Sequence, residues 1–180
     1  MDYLYYETPI ITRIEPICGP ERGFTQITVF GKNFVNMGFG MTMCVFNNTI
    51  FTNATIMEHN IIKCDSPPAE NWTRFTEEKI VYYYVKITLN GIEISGPEQK
   101  FIYYKEADIY SVTPNLGPVD GGTLSKIDGR GFNQIGVCNM TVRYATWQVK
   151  PLNYTYDYIF VESPPVETPD DVVVAVGMNG

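Results

Sequence analysis

The chain repeats itself once, and that repeat limits the folds open to it more than any other feature. Shifting the sequence by 98, which lays Pro16 on Pro114, also lays Gly19-Pro20 on Gly117-Pro118, Gly23 on Gly121, Thr25 on Thr123, Gly31 on Gly129, Phe34 on Phe132 and Phe46 on Tyr144. One skipped residue later "IIKCDSPP" lies on "YIFVESPP", and after eight residues found only in the first copy Asn90-Gly91 meets Asn179-Gly180. Two copies of one small domain fit 180 residues, and a single large domain would leave the matches without a cause.

Each copy reads as strands. Short β-branched and aromatic runs such as "TQITVFG", "MTMCVFN", "IVYYYVKITL" and "QKFIYY" are punctuated by Gly, Pro and Asn, and nothing holds a helical apolar period for three turns. The expectation is an all-β fold, two tandem sandwiches of about seven short strands each. Gly-Pro followed by Gly23 or Gly121 makes a tight reversal between strands. Phe34 and Phe132 follow a strand-ending glycine and can plug the sandwich floor, while "SPP" removes backbone donors just past a strand.

Residues 11–34 carry I-x-x-I-x-P-x-x-G-P-x-x-G-x-T-x-I-T-V-x-G-x-x-F, and a Cys-containing strand ended by SPP follows. This pattern resembles the IPT/TIG domain, an immunoglobulin-like sandwich that occurs in plexins, in the hepatocyte growth factor receptor family, in large extracellular proteins and in some transcription factors. The resemblance implies a role in binding or scaffolding and names no partner. The second copy departs from it at "TLSKIDGRGF", where Ser125 and Lys126 replace apolar or β-branched residues, so a looser strand is expected there.

The opening "LYYETPII" matches "IYYKEADI", with Tyr3, Leu4, Tyr5 and Tyr6 on Phe101, Ile102, Tyr103 and Tyr104. In the first copy that stretch is the last strand, and the second copy reaches Gly180 at the turn before it. The expected boundaries are therefore 1–7, a last strand complementing a preceding domain or neighbouring subunit, 8–105, the first domain, and 106–180, a second domain lacking its own last strand. Strand donation of this kind joins units head to tail.

Four cysteines are present. Cys44 and Cys64 fall on Val142 and Val161, and alternation that turns both inward turns Val45 and Lys63 outward. A Cys44–Cys64 bridge would join the two sheets and close a loop of about 20 residues, worth about 3 kcal/mol if it acts through chain entropy. Strand directions bring Cys18 and Cys138 to abutting poles, which suits a Cys18–Cys138 bridge; Cys18–Cys64 is the rival, and free thiols suit only a reducing compartment.

Asn-X-Thr occurs at Asn47, Asn53, Asn71, Asn139 and Asn153, where chance would supply about one or two such triplets. These are candidate N-glycosylation sites, and they point to an extracellular or cell-surface location. A net charge of −7 without a basic run opposes nucleic acid and anionic membrane, and no apolar stretch approaches a membrane span.

Catalytic chemistry is thin. His59 is the sole histidine, in a polar turn, and the acidic pairs Glu77-Glu78 and Asp170-Asp171 read as solvated loop charge. With no Gly-x-Ser-x-Gly, no phosphate-cradling loop and no zinc spacing, neither an enzyme nor a metal or other cofactor is expected, only N-linked glycans. Tyrosines on both faces of "VYYYVK" and "FIYYK" suit a contact surface. The expected function is an extracellular structural glycoprotein, a head-to-tail repeating unit of a fibre whose partner is itself. The alternative is a ligand-binding or adhesion fragment of a receptor-type ectodomain, with a carbohydrate-binding accessory domain behind it.

Overall fold

The structure is a computed structural model that describes residues 4–38, 40–69, 81–132 and 138–179. The chain divides into two compact units, Met1–Tyr104 and Lys105–Gly180, and among the described residues there is no helix.

Unit 1 contains β1 (Ile10–Glu15), β2 (Cys18–Pro20), β3 (Gln26–Lys32), β4 (Met43–Phe46), β5 (Ile50–Glu58), β6 (Ile61–Asp65), β7 (Val81–Thr88) and β8 (Gln99–Tyr104). They form one hydrogen-bonded series, β1-β3-β6-β5-β4-β7-β8-β2, because the long β5 pairs first with β4 and then with β6. That change of partner folds the series into two facing layers. Between them lie Ile14, Ile27, Val29, Phe46, Ile62, Val85, Ile87, Phe101 and Tyr103, all essentially removed from solvent.

Unit 2 repeats the plan with β9 (Asp108–Thr113), β10 (Leu124–Arg130), β11 (Thr141–Tyr144), β12 (Trp147–Val149), β13 (Asn153–Tyr154), β14 (Tyr158–Glu162) and β15 (Val174–Gly177). One sheet runs β13-β14-β10-β9 and the other β12-β11-β15. The counterpart of β5 is split into β12 and β13 around Pro151, whose missing N–H breaks the ladder where the strand changes sheets. The single skipped residue of the repeat falls in a hairpin turn: Phe46 pairs with Ile50, but Tyr144 pairs with Trp147.

The repeated motifs touch one another. In unit 1 the Thr25 N–H donates to Ser66 Oγ (3.1 Å) and the Ser66 N–H to the Thr25 carbonyl (2.9 Å). Thr123 and Ser163 make the same reciprocal pair in unit 2, at 3.1 and 2.9 Å. Gly23 (φ +81°) and Gly121 (φ +74°) lie so close to the following prolines that a Cβ at either would stand 2.6 Å from a Pro68 or Pro165 nitrogen. The serine of "SPP" therefore clamps the first turn as well as ending a strand. Phe34 and Phe132 are buried beneath Gly31 and Gly129, as a floor plug requires.

The strand containing Ser125 and Lys126 is not loose. It runs seven residues and pairs on both sides. Ser125 takes the inward place of Ile27 at 4% exposure because its hydroxyl donates to the Pro114 carbonyl (2.9 Å), so the polar group is satisfied without water. Lys126 points outward, pairs with Asp128 and lies over the Tyr158 ring at 5.3 Å. Opposite Ser125's sheet, Tyr144 replaces Phe46, and burial raises its phenol above the ordinary value.

Tyr103 carries a larger shift in the same direction, caused first by burial and then by the neighbouring Tyr83 phenol; its hydroxyl donates to the Pro67 carbonyl (2.7 Å). The folded state thus holds the Tyr103 proton after the unfolded chain, titrating near pH 10, has lost it. The contribution is intact below about pH 10 and declines as pH rises beyond it. Denaturant midpoints should show no loss from this group up to about pH 10 and should fall between about pH 10 and pH 12, and Tyr103→Phe should flatten that alkaline slope while lowering stability at neutral pH.

Candidate interaction surfaces and covalent sites

Alternation along β7 divides its tyrosines. Tyr83 points inward and is buried against Tyr103, ring centroids 5.0 Å apart. Tyr82 and Tyr84 point outward, 42% and 36% exposed, with rings edge to face at 5.5 Å. Lys100, on the adjacent β8, places its ammonium 4.1 Å from the Tyr82 ring, and Lys86 bonds Glu98 at 3.2 Å. The Tyr82 hydroxyl, with a smaller effect from the Glu98 charge, raises the Tyr84 phenol above its ordinary value. Phe51, 46% exposed on β5, extends this aromatic face. Val45 also belongs to the outer face but is fully covered, flanked in register by Phe51 and Lys86. Its outward direction therefore does not mean exposure.

The cysteines of the first copy cross its core. Cys44 on β4 and Cys64 on β6 are joined by a disulfide, Cα atoms 6.3 Å apart. Val142 and Val161 fill the matching places in unit 2 and are fully buried. With Cys64 committed to Cys44, a Cys18–Cys64 bridge has no second thiol. None of the four cysteines is free.

Asn47, Asn53, Asn139 and Asn153 are all exposed, and Asn71 lies outside the described residues. Asn53 shares the outer face of β5 with Phe51, and Asn153 sits on the edge strand β13. Asn47 has a second role that the triplet alone does not reveal. Its N–H donates to the Tyr84 carbonyl and its Oδ1 accepts the Tyr84 N–H, both at 2.9 Å, so the side chain extends the β4–β7 ladder through a turn at positive φ. Asn47→Ala should cost about 1–2 kcal/mol in a chain without glycans, whereas Asn139→Ala should cost almost nothing, as thermal unfolding of the two would show.

Among the leading residues, Tyr3 lies outside the described set, Leu4 and Tyr5 are 66% and 87% exposed, and residues 4–9 form no strand. Tyr6 packs against unit 1, its hydroxyl 3.3 Å from Glu93 Oε2. The leading segment thus rests partly on its own first unit. His59 is exposed in the β5–β6 turn, where its carbonyl accepts the Phe34 N–H (3.0 Å). Asp170 and Asp171 are exposed; Glu77 and Glu78 lie outside the described residues. No group of three His, Cys, Asp or Glu suited to a metal occurs among the described residues, and no helix is long and apolar enough to cross a membrane.

Comparison with known proteins agrees with this architecture. The fold is similar to that of the full extracellular region of plexin A4, in a structure of domains 1 to 10, at TM-score 0.55 and 20% identity over 95% of this chain. A second plexin A4 extracellular structure, domains 1 to 8, gives TM-score 0.50 and 21% identity, again over 95% of this chain. The chain spans 14% and 17% of those two chains. The likeness at this identity speaks for the fold. The family model for the IPT/TIG domain matches twice, over residues 9–103 and 107–180, and the chain belongs to the IPT/TIG domain family.

Proposed function

We propose that the chain is an extracellular, glycosylated, non-catalytic stretch of a receptor- or adhesion-type ectodomain that binds through the outer aromatic face of unit 1. One observation carries the reading: a core cross-linked by Cys44–Cys64 in a chain whose described sequon asparagines all reach solvent. Disulfides persist in oxidising compartments, and N-linked glycans need exposed acceptors. The Tyr82–Tyr84 face has the composition of a contact surface, two rigid aromatic anchors beside a positive charge. Asn47 adjoins it, so a glycan there would cover part of the face and an unmodified Asn47 would leave it open to a partner.

Labelled protein should bind intact cells of its source saturably. Tyr82→Ala with Tyr84→Ala should weaken that binding about tenfold or more, and Tyr154→Ala on unit 2 should not. Absence of saturable binding, or equal loss with Tyr154→Ala, would overturn the assignment to this face.

A further inference from the structure

Of the five Asn-X-Thr triplets only one has an aromatic residue two places before its asparagine, in Phe51-Thr52-Asn53-Ala54-Thr55. That spacing has a meaning on a strand, where side chains two residues apart share a face and stand about 7 Å from one another. β5 carries the stretch, and its pairing with β4 fixes the directions. Thr52 lies across from the fully buried Cys44, so Phe51 and Asn53 both point outward. Phe51 is 46% exposed, and Asn53 and Thr55 are exposed beside it.

The place of Phe51 on the sheet sets it apart from the tyrosines. Its row continues to Val45 and then to Lys86, which is tied to Glu98 at 3.2 Å, so the next side chain to reach solvent across the sheet is charged and not aromatic. Asn53 lies in the neighbouring row, across from Met43. Among the described residues, this half of β5 is paired on one side only, because the strand turns to β6 from Ala54 onward. A large apolar ring on a half-paired strand invites edge-to-edge association unless something covers it.

We propose that Phe51 is the seat of the first N-acetylglucosamine of a glycan on Asn53, so that the chain's own sugar covers the ring and this edge. The proposal rests on the extracellular, glycosylated reading above, and it gives Phe51 an occupant different from the partner that meets Tyr82 and Tyr84. Attachment replaces one N–H bond of Asn53 Nδ2 by a bond to the anomeric carbon of a glycosyl diphosphate donor; the diphosphate leaves and the proton passes to solvent. A β-linked N-acetylglucosamine carries three axial C–H groups on one face of its ring. Those groups match the electron-rich face of Phe51, while the hydroxyls at the rim of the sugar stay in water. The tether holds the sugar within reach of the ring, so seating it costs less ordering than capturing a free ligand. Asn139, preceded two places back by Val137, has no such aromatic and serves as the internal comparison.

The chain secreted from a eukaryotic host that attaches N-linked glycans tests the proposal. Peptide mass should show a glycan on Asn53. In the intact glycoprotein, the ring current of Phe51 should shift the C–H protons of the first sugar on Asn53 upfield and leave those on Asn139 unshifted, and Phe51→Leu should abolish the shift. Hydrogen exchange reads the stability of unit 1 by itself. Asn53→Gln should make its slowest amides exchange about fivefold faster, and in a Phe51→Leu background the same change should alter them by less than about twofold. An occupied Asn53 with unshifted sugar protons, or with equal acceleration in both backgrounds, would overturn the seat and leave the glycosylated reading standing. A bare Asn53 with glycans at other asparagines would do the same. A chain without glycans at every asparagine would overturn that reading and the seat with it.

Discussion

Replacing Cys44 and Cys64 together by valine lowers the stability of unit 1 by about 3 kcal/mol, and replacing both by alanine lowers it further, to about 4–5 kcal/mol. The two losses have different origins. The valine pair removes the cross-link and keeps the space filled, as Val142 and Val161 do at 0% exposure in unit 2. A bridge closing a loop of sequence separation 20 then contributes only by constraining the unfolded chain. The alanine pair adds a void between β4 and β6 in a core whose neighbours Ile27, Val29 and Ile62 are all fully buried. Denaturant unfolding of the two variants separates the terms. Equal midpoints for both would show that the core collapses around the smaller side chains.

The second large effect belongs to the glycine that both copies place three residues before the floor phenylalanine. Gly129→Ala should destabilise unit 2 by about 3 kcal/mol, and Gly31→Ala should do the same to unit 1. A methyl at residue 129 would overlap the Asp108 carbonyl and the Phe132 ring. Residue 31 meets the Ile10 carbonyl and the Phe34 ring in the same way. The carbonyls belong to the paired strands β9 and β1, and the rings are buried, so neither neighbour can move cheaply. Gly122 is the control. It has φ +76° but nothing within 4 Å of an added Cβ, so Gly122→Ala should cost only the left-handed backbone penalty, about 1–2 kcal/mol. Thermal unfolding of the three variants would rank them, and a Gly122→Ala loss as large as Gly129→Ala would assign the glycines to backbone conformation alone.

The parts legible in the sequence were those fixed by alternation and by the repeat. Cys44 and Cys64 could be turned inward because each stands opposite a valine in the other copy, and Tyr83 could be separated from Tyr82 and Tyr84 by a period of two. Chemistry that depends on a second strand was not legible. Ser125 resembles a defect until the Pro114 carbonyl is seen 2.9 Å from its hydroxyl. Asn47 resembles only a sequon until its amide is found completing the ladder to Tyr84. Val45 faces outward as alternation requires and is buried all the same, because burial on an outer face is set by the neighbours Phe51 and Lys86, not by direction. The clamp between Thr25 and Ser66 had a signal that went unused: the threonine and the serine of "SPP" recur together in both copies.

An extracellular, oxidised scaffold is the claim on which the proposed function depends. Peptide mapping of the native protein without reduction, before and after enzymatic release of N-linked glycans, tests it most directly. The expected result is a Cys44–Cys64 linked peptide pair and glycan mass at one or more of the exposed residues Asn47, Asn53, Asn139 and Asn153. Free thiols at Cys44 and Cys64 together with unmodified asparagines at all four positions would contradict it.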